Sequence, residues 1–227
     1  MLFQLLHGNF DFMSILAEVL AILLIIFLIL PFHEWAHAFT ASLLGDKAIK
    51  YRGRLSLNPL THIDPIGALC LLLFGFGWAK PVPIDPRSFK NPKVGMAITA
   101  LMGPVANIVA AFAGLLIYNA LICFSIQFLF SDIGVFIRAF LSFYISCNIS
   151  LAVFNLIPIP PLDGSKILFV FLPDRAVNFF YRYQQIFFIV IFVLLYIGVL
   201  SPVIGWASNA IYNGLDWLSS LPFRFFA

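Results

Sequence analysis

Residues 33–37 read His-Glu-Trp-Ala-His. Residues four apart share one face of a helix, so His33 and His37 can aim both imidazoles at one metal ion. Glu34 lies beside them, where its carboxylate can reach a water held by that metal. This H-E-x-x-H spacing lets a single helix supply two zinc ligands and a general base for hydrolysis. The motif stands inside an almost unbroken apolar run. Two structural histidines and a packing acid are the plainer alternative. An ionisable side chain at mid-bilayer costs about 2.5 kcal/mol or more, however, so three within five positions point to a working site. The chemistry indicated is metal-dependent hydrolysis at membrane depth.

Composition agrees with that setting. Of 227 residues, 62% are hydrophobic and 10% are charged, against about 25% charged in a soluble domain. The fold class expected is an all-α polytopic membrane protein with four to six transmembrane helices, a re-entrant segment and a short membrane-associated β element. Residues 1–227 read as one integral-membrane domain, with a catalytic core over 12–170 and a C-terminal helix and interfacial tail over 183–227. No repeat, low-complexity tract or charge block is visible, and no nucleic-acid partner is expected. The first residues lack the basic region and small-residue cleavage site of a removable signal peptide. Cys70, Cys123 and Cys147 are scattered through apolar segments and read as inert core residues.

The helix that carries the motif should run over residues 12–44, about 50 Å long and so tilted or projecting beyond the lipid. Residues 66–76 are apolar but too short to span, and a re-entrant or interfacial helix fits them better. Further spans are expected at 94–124, 133–157 and 186–200. The tail over 202–227, with Trp206, Trp217, Phe223 and Phe225, reads as interfacial or as a poor extra span. If 66–76 is re-entrant, eleven of the thirteen Lys and Arg residues fall on one side. The positive-inside rule makes that side cytoplasmic.

A catalytic zinc needs a third protein ligand and keeps a fourth position for water. The span over 133–157 ends in Asn155-Leu156-Ile157-Pro158-Ile159-Pro160-Pro161-Leu162-Asp163-Gly164. The prolines break the helix and return Asp163 toward the depth of His33 and His37. Asp-Gly is also a common plain turn, but in this topology the ligand reading is the stronger.

Taken together, His33–His37, the helix end at Gly45-Asp46, Asn58 through Pro65, Gly103-Pro104-Val105-Ala106-Asn107 and Asn155 through Gly164 resemble the site-2 proteases. These are intramembrane zinc metalloproteases, here of a minimal bacterial type without PDZ or cystathionine-synthase-like insertions. The resemblance covers roughly residues 12–170. It implies one Zn2+ per chain held by His33, His37 and Asp163, with Glu34 as general base. It also implies that Asn155 assists at the active site, as an amide donor to the oxyanion; helix–helix hydrogen bonding is the alternative for that residue. Ser165 replaces the second glycine that often follows Asp-Gly in the family.

The resemblance further implies a membrane-protein substrate, such as a single-pass helix, and a setting in the bacterial inner membrane with the active site nearer the cytoplasm. Residues 49–57 alternate apolar and polar, the period of a strand, and offer either an edge for an unwound substrate or a basic strand on headgroups. Asn107 and Gly103 read as a close-packing pair. His62 and Asp64 suit either a structured turn or a supporting role, and Glu18 has no evident partner. Access is expected to involve residues 186–200 and the loop Gly75-Phe76-Gly77-Trp78. A membrane metal transporter and an inactive zinc-binding scaffold are the competing classes. The transporter would want acidic and His residues along a whole path, whereas here they gather on one side.

Overall fold

The computed structural model describes residues 12–74 and 77–224. The first helix is built in three parts: α1 (Phe12–Leu24), a π segment (Ile25–Ile29) and α2 (Leu30–Leu43). Leu, Ile, Val, Phe and Ala dominate all three, and the π segment widens the turn without breaking the helix. After a short turn α3 (Ala48–Tyr51) and helix α4 (Pro65–Phe74), the chain runs extended to a long helix, α5 (Pro92–Ser125). Asn91 caps α5 by accepting the Val94 N–H. Helix α6 (Asp132–Asn155) begins on Ser131, whose hydroxyl accepts from Gly134. A break at the prolines leads into α7 (Asp163–Leu168), α8 (Asp174–Arg182), α9 (Gln184–Tyr196) and α10 (Ser201–Ser220).

Among the described residues three segments are long and apolar enough to cross a membrane: Ile15–Leu43, Pro92–Phe130 and Asp132–Asn155. The pair α8 and α9, bent by 67°, makes a fourth if counted as one broken span. Apolar packing among the described residues forms three clusters, two of which join these elements. Ile22, Ile25, Ile26 and Ile29 pack against Leu71 of α4 and Ala110 of α5. Ala111, Leu115, Leu141, Ile145 and Ile149 join α5 to α6.

One expectation is corrected. Residues 49–57 do not form a strand. Ile49 is fully buried beneath α2 with Ala38, Ala41, Val82 and Phe89, and the backbone closes on itself through Arg52 N to Ala48 O and Arg54 N to Ile49 O. Burial of that one side chain outweighs the alternating pattern. Among the described residues the sole β-type pairing is the isolated antiparallel bridge between Ile63 and Ala79. In the tail, helix α10 packs on the bundle: Ile204, Ile211 and Leu215 lie against the α5–α6 core. Asn119 of α5 donates to Asp216 and to Ser219 at 3.2 and 2.8 Å. Gly75, Phe76 and Phe225, which the sequence reading assigned to the access loop and the tail, lie outside the described residues, as do the first eleven.

Candidate metal centre

His33 and His37 lie one turn apart on α2, both buried, facing the start of α7. The proline break returns the chain so that Asp163 becomes the first residue of α7. Gly164 lets this happen, since a Cβ there would sit 2.1 Å from the Leu156 carbonyl oxygen that ends α6. Ser165 spends its hydroxyl on the Leu162 carbonyl at 2.7 Å, so the departure from a second glycine is absorbed within the turn.

The three side chains converge closely. His33 Nε2 and His37 Nε2 are 3.1 Å apart, and they stand 3.3 and 3.2 Å from Asp163 Oδ2. Ligand atoms around a tetrahedral zinc with bonds of about 2.0 Å are separated by about 3.3 Å. The far ring nitrogens fix the tautomers. His33 Nδ1 meets Asn107 Oδ1 at 3.2 Å, and His37 Nδ1 meets the Thr99 carbonyl at 2.7 Å. The Thr99 carbonyl can only accept, so His37 Nδ1 carries the hydrogen and its Nε2 presents a bare lone pair; Asn107 Oδ1 holds His33 in the same tautomer. Two lone pairs and a carboxylate oxygen thus face one another in a buried space, an arrangement that a cation between them stabilises. The donor set fits Zn2+.

Helix α5 completes the cradle. A Cβ on Gly103 would lie 2.4 Å from His37 Nε2 and 2.5 Å from His33 Nε2, so both imidazoles occupy the place of a missing side chain. Asn107, read from the sequence as a packing residue, instead orients His33; only the tertiary apposition of α2 and α5 reveals this. Lys166 was not singled out by the sequence reading either. Its Nζ lies 3.0 Å from Asp163 Oδ1, one helical turn on, and so pairs with the carboxylate oxygen that faces away from the histidines.

Glu34 lines the same cavity, with Oε2 accepting the Val82 N–H at 3.1 Å. Asn155 also lines the cavity, and one of its amide hydrogens goes to the Leu151 carbonyl of its own helix at 3.0 Å. The cavity, of about 1090 Å3, is walled by α1, α2, α6 and α9. Trp78 closes on Phe188 of α9 with ring centroids 6.2 Å apart. The extended stretch 79–84 runs along one wall. Pro81 and Pro83 have no N–H and that of Val82 is spent on Glu34, so residues 81–83 offer a substrate no free backbone donor. His62 and Asp64 are structural: His62 Nε2 bonds the Ser56 carbonyl, and Asp64 Oδ1 caps α4 through Ile66 N and Gly67 N.

Comparison with known proteins agrees with this chemistry. Residues 129–198 match the model of "Peptidase family M50". Over 185 residues the chain is 36% identical to "Putative zinc metalloprotease YwhC" of Bacillus subtilis (strain 168), covering 81% of this chain and 84% of that protein. Over 191 residues it is 30% identical to "Putative zinc metalloprotease Rip2" of Mycolicibacterium smegmatis, covering 82% and 69%. The Rip2 protein of Mycobacterium tuberculosis (strain ATCC 25618 / H37Rv) is 28% identical over 198 residues, with 83% and 69% covered. No solved structure matches the chain significantly.

Proposed function

Since the chain belongs to peptidase family M50, the site-2 proteases, and is a membrane metallopeptidase, we propose that it hydrolyses peptide bonds within or next to the transmembrane segments of other membrane proteins, in regulated intramembrane proteolysis. The observation that carries this reading is the convergence of three buried acceptor atoms with both Nδ1 hydrogens committed elsewhere. We assign His33, His37 and Asp163 to one Zn2+ per chain and Glu34 to the role of general base. Bound there, Zn2+ would acidify a water and polarise the scissile carbonyl.

The remaining steps belong to the chain's own residues. Glu34, anchored by the Val82 N–H, takes the water's proton and returns it to the leaving amide nitrogen. Lys166 neutralises the outer oxygen of Asp163 and leaves Oδ2 for the metal. Asn155 retains a second amide hydrogen, which can meet the oxyanion of the tetrahedral intermediate. Helical peptide bonds are shielded by their own turns, so a substrate must unwind within the cavity. The clustering of basic residues on one side supports a bacterial inner-membrane setting with the site nearer the cytoplasm.

Glu34→Gln tests the assignment. The variant should hold about one zinc per chain and fail to cleave a model single-pass membrane peptide that the wild type cleaves. His37→Ala and Asp163→Ala should lose the zinc. Zinc flux into proteoliposomes that survives Glu34→Gln, with no cleavage by the wild type, would make the protein a transporter instead.

A further inference from the structure

Glu18 lines the catalytic cavity together with His33, Glu34 and His37, although it stands about 20 Å from His33 along the helix. The π segment puts it there. At about 100° per residue in α-helix and about 80° in the wider π turn, the path from Glu18 to His37 makes about five full turns, so the two side chains share one face. An unbroken α-helix would leave them about 100° apart.

The Glu18 carboxyl makes no hydrogen bond and no ion pair with any described residue. Among the described residues its surroundings supply no free cation. Ile22, Phe143 and Cys147 line the cavity near it, and the single Lys or Arg among the lining residues, Lys166, is held by Asp163 at the other end. A carboxylate at membrane depth faces a cavity or pairs with an opposite charge. This one faces the cavity, and no described residue of the chain pairs with it.

We propose that the far end of the cavity is a second substrate subsite, in which Glu18 receives a lysine or arginine carried by the substrate's transmembrane segment about 20 Å from the scissile bond. The proposal rests on the proteolytic reading of the cavity. It makes register measurable: a basic side chain anchored at Glu18 fixes which peptide bond reaches the metal centre. With the substrate helical between the two points, that spacing is about 13–15 residues, and it shortens as the segment unwinds.

The test uses the zinc-loaded protein in lipid nanodiscs and synthetic Leu/Ala single-pass peptides. Each peptide carries one lysine, moved along residue by residue, with norleucine in its place as the neutral control. The best-placed lysine peptide should bind wild type at least about tenfold more tightly than its norleucine control, on the scale of a desolvated charge pair. Glu18→Gln should erase that preference without changing zinc content, and Glu18→Lys should transfer it to a glutamate peptide. Equal affinity of lysine and norleucine peptides at every register overturns the subsite, as does a preference that survives Glu18→Gln. Mass spectrometry of the same mixtures separates the two claims. Lysine preference without cleavage leaves the subsite standing and counts against the protease reading; cleavage without lysine preference does the reverse.

Discussion

Replacing Gly103 by alanine should cost the protein its metal while leaving its fold nearly untouched. The added Cβ would stand 2.4 Å from His37 Nε2 and 2.5 Å from both His33 Nε2 and Cε1, whereas carbon contacts settle near about 3.5 Å. Helix α5 or the imidazoles must therefore yield by about 1 Å. Zinc–ligand distances tolerate about 0.2 Å, so a site whose ligand atoms lie 3.1 to 3.3 Å apart cannot keep its geometry. Disturbing a group that merely orients a ligand costs about 10–100-fold in metal affinity. Here the crowded atoms are the ligands themselves, and a loss of at least about 100-fold, near 2.7 kcal/mol, is expected.

Stability should behave differently. Alanine is favoured over glycine in a helix by about 1 kcal/mol, which offsets much of an overpacking cost of about 1–3 kcal/mol. The assay is competition for zinc with a fluorescent chelator in detergent, alongside thermal unfolding of the metal-free protein. Gly205→Ala is the control, because a Cβ there meets nothing within 4 Å. Wild-type zinc affinity in Gly103→Ala would refute the close-approach argument. Equal losses in both glycine variants would do so as well.

Three further outcomes follow from other contacts. Asn107→Leu removes the acceptor that holds His33 Nδ1, and zinc affinity measured by the same competition should fall by about 10–100-fold. Gly164→Ala would push a Cβ to 2.1 Å from the Leu156 carbonyl oxygen; Asp163 is displaced with its backbone, and zinc measured by elemental analysis should drop well below one per chain. Asn119→Leu breaks the hydrogen bonds to Asp216 and Ser219. It should lower stability in detergent by about 0.6–1.7 kcal/mol, the range for polar contacts between membrane helices, with zinc content unchanged.

How legible each part was in the sequence depends on how local its cause is. The pairing of His33 with His37 and the place of Glu34 follow from helical period alone, and the proline run before Asp163 announces the break that α7 needs. Asn107 and Gly103 act on residues some seventy positions away. Nothing in Gly-Pro-Val-Ala-Asn says which helix will lie against it. Residues 49–57 misled through their alternation, because the burial of Ile49 under α2 is a tertiary fact. In the tail the aromatic residues are visible in the sequence, but the pairing of Asp216 and Ser219 with Asn119, some hundred positions away, is not. The π segment has no marker at all, since Ile-Ile-Phe-Leu-Ile would sit as readily in an ordinary α-helix.

That segment also bears on how relatives should be compared. A π turn holds one more residue than the α turn it replaces, so α1 and α2 are out of phase with each other by a fixed step. A relative that lacks the extra residue can keep His-Glu-x-x-His unchanged and still present a different face of its first helix to the cavity. Aligned without a gap, its counterpart of Glu18 would be sought one position away from where it lies in space. A one-residue gap inside this helix is therefore a structural statement, and the residues before Ile25 should be matched by the face they occupy rather than by their distance from the motif.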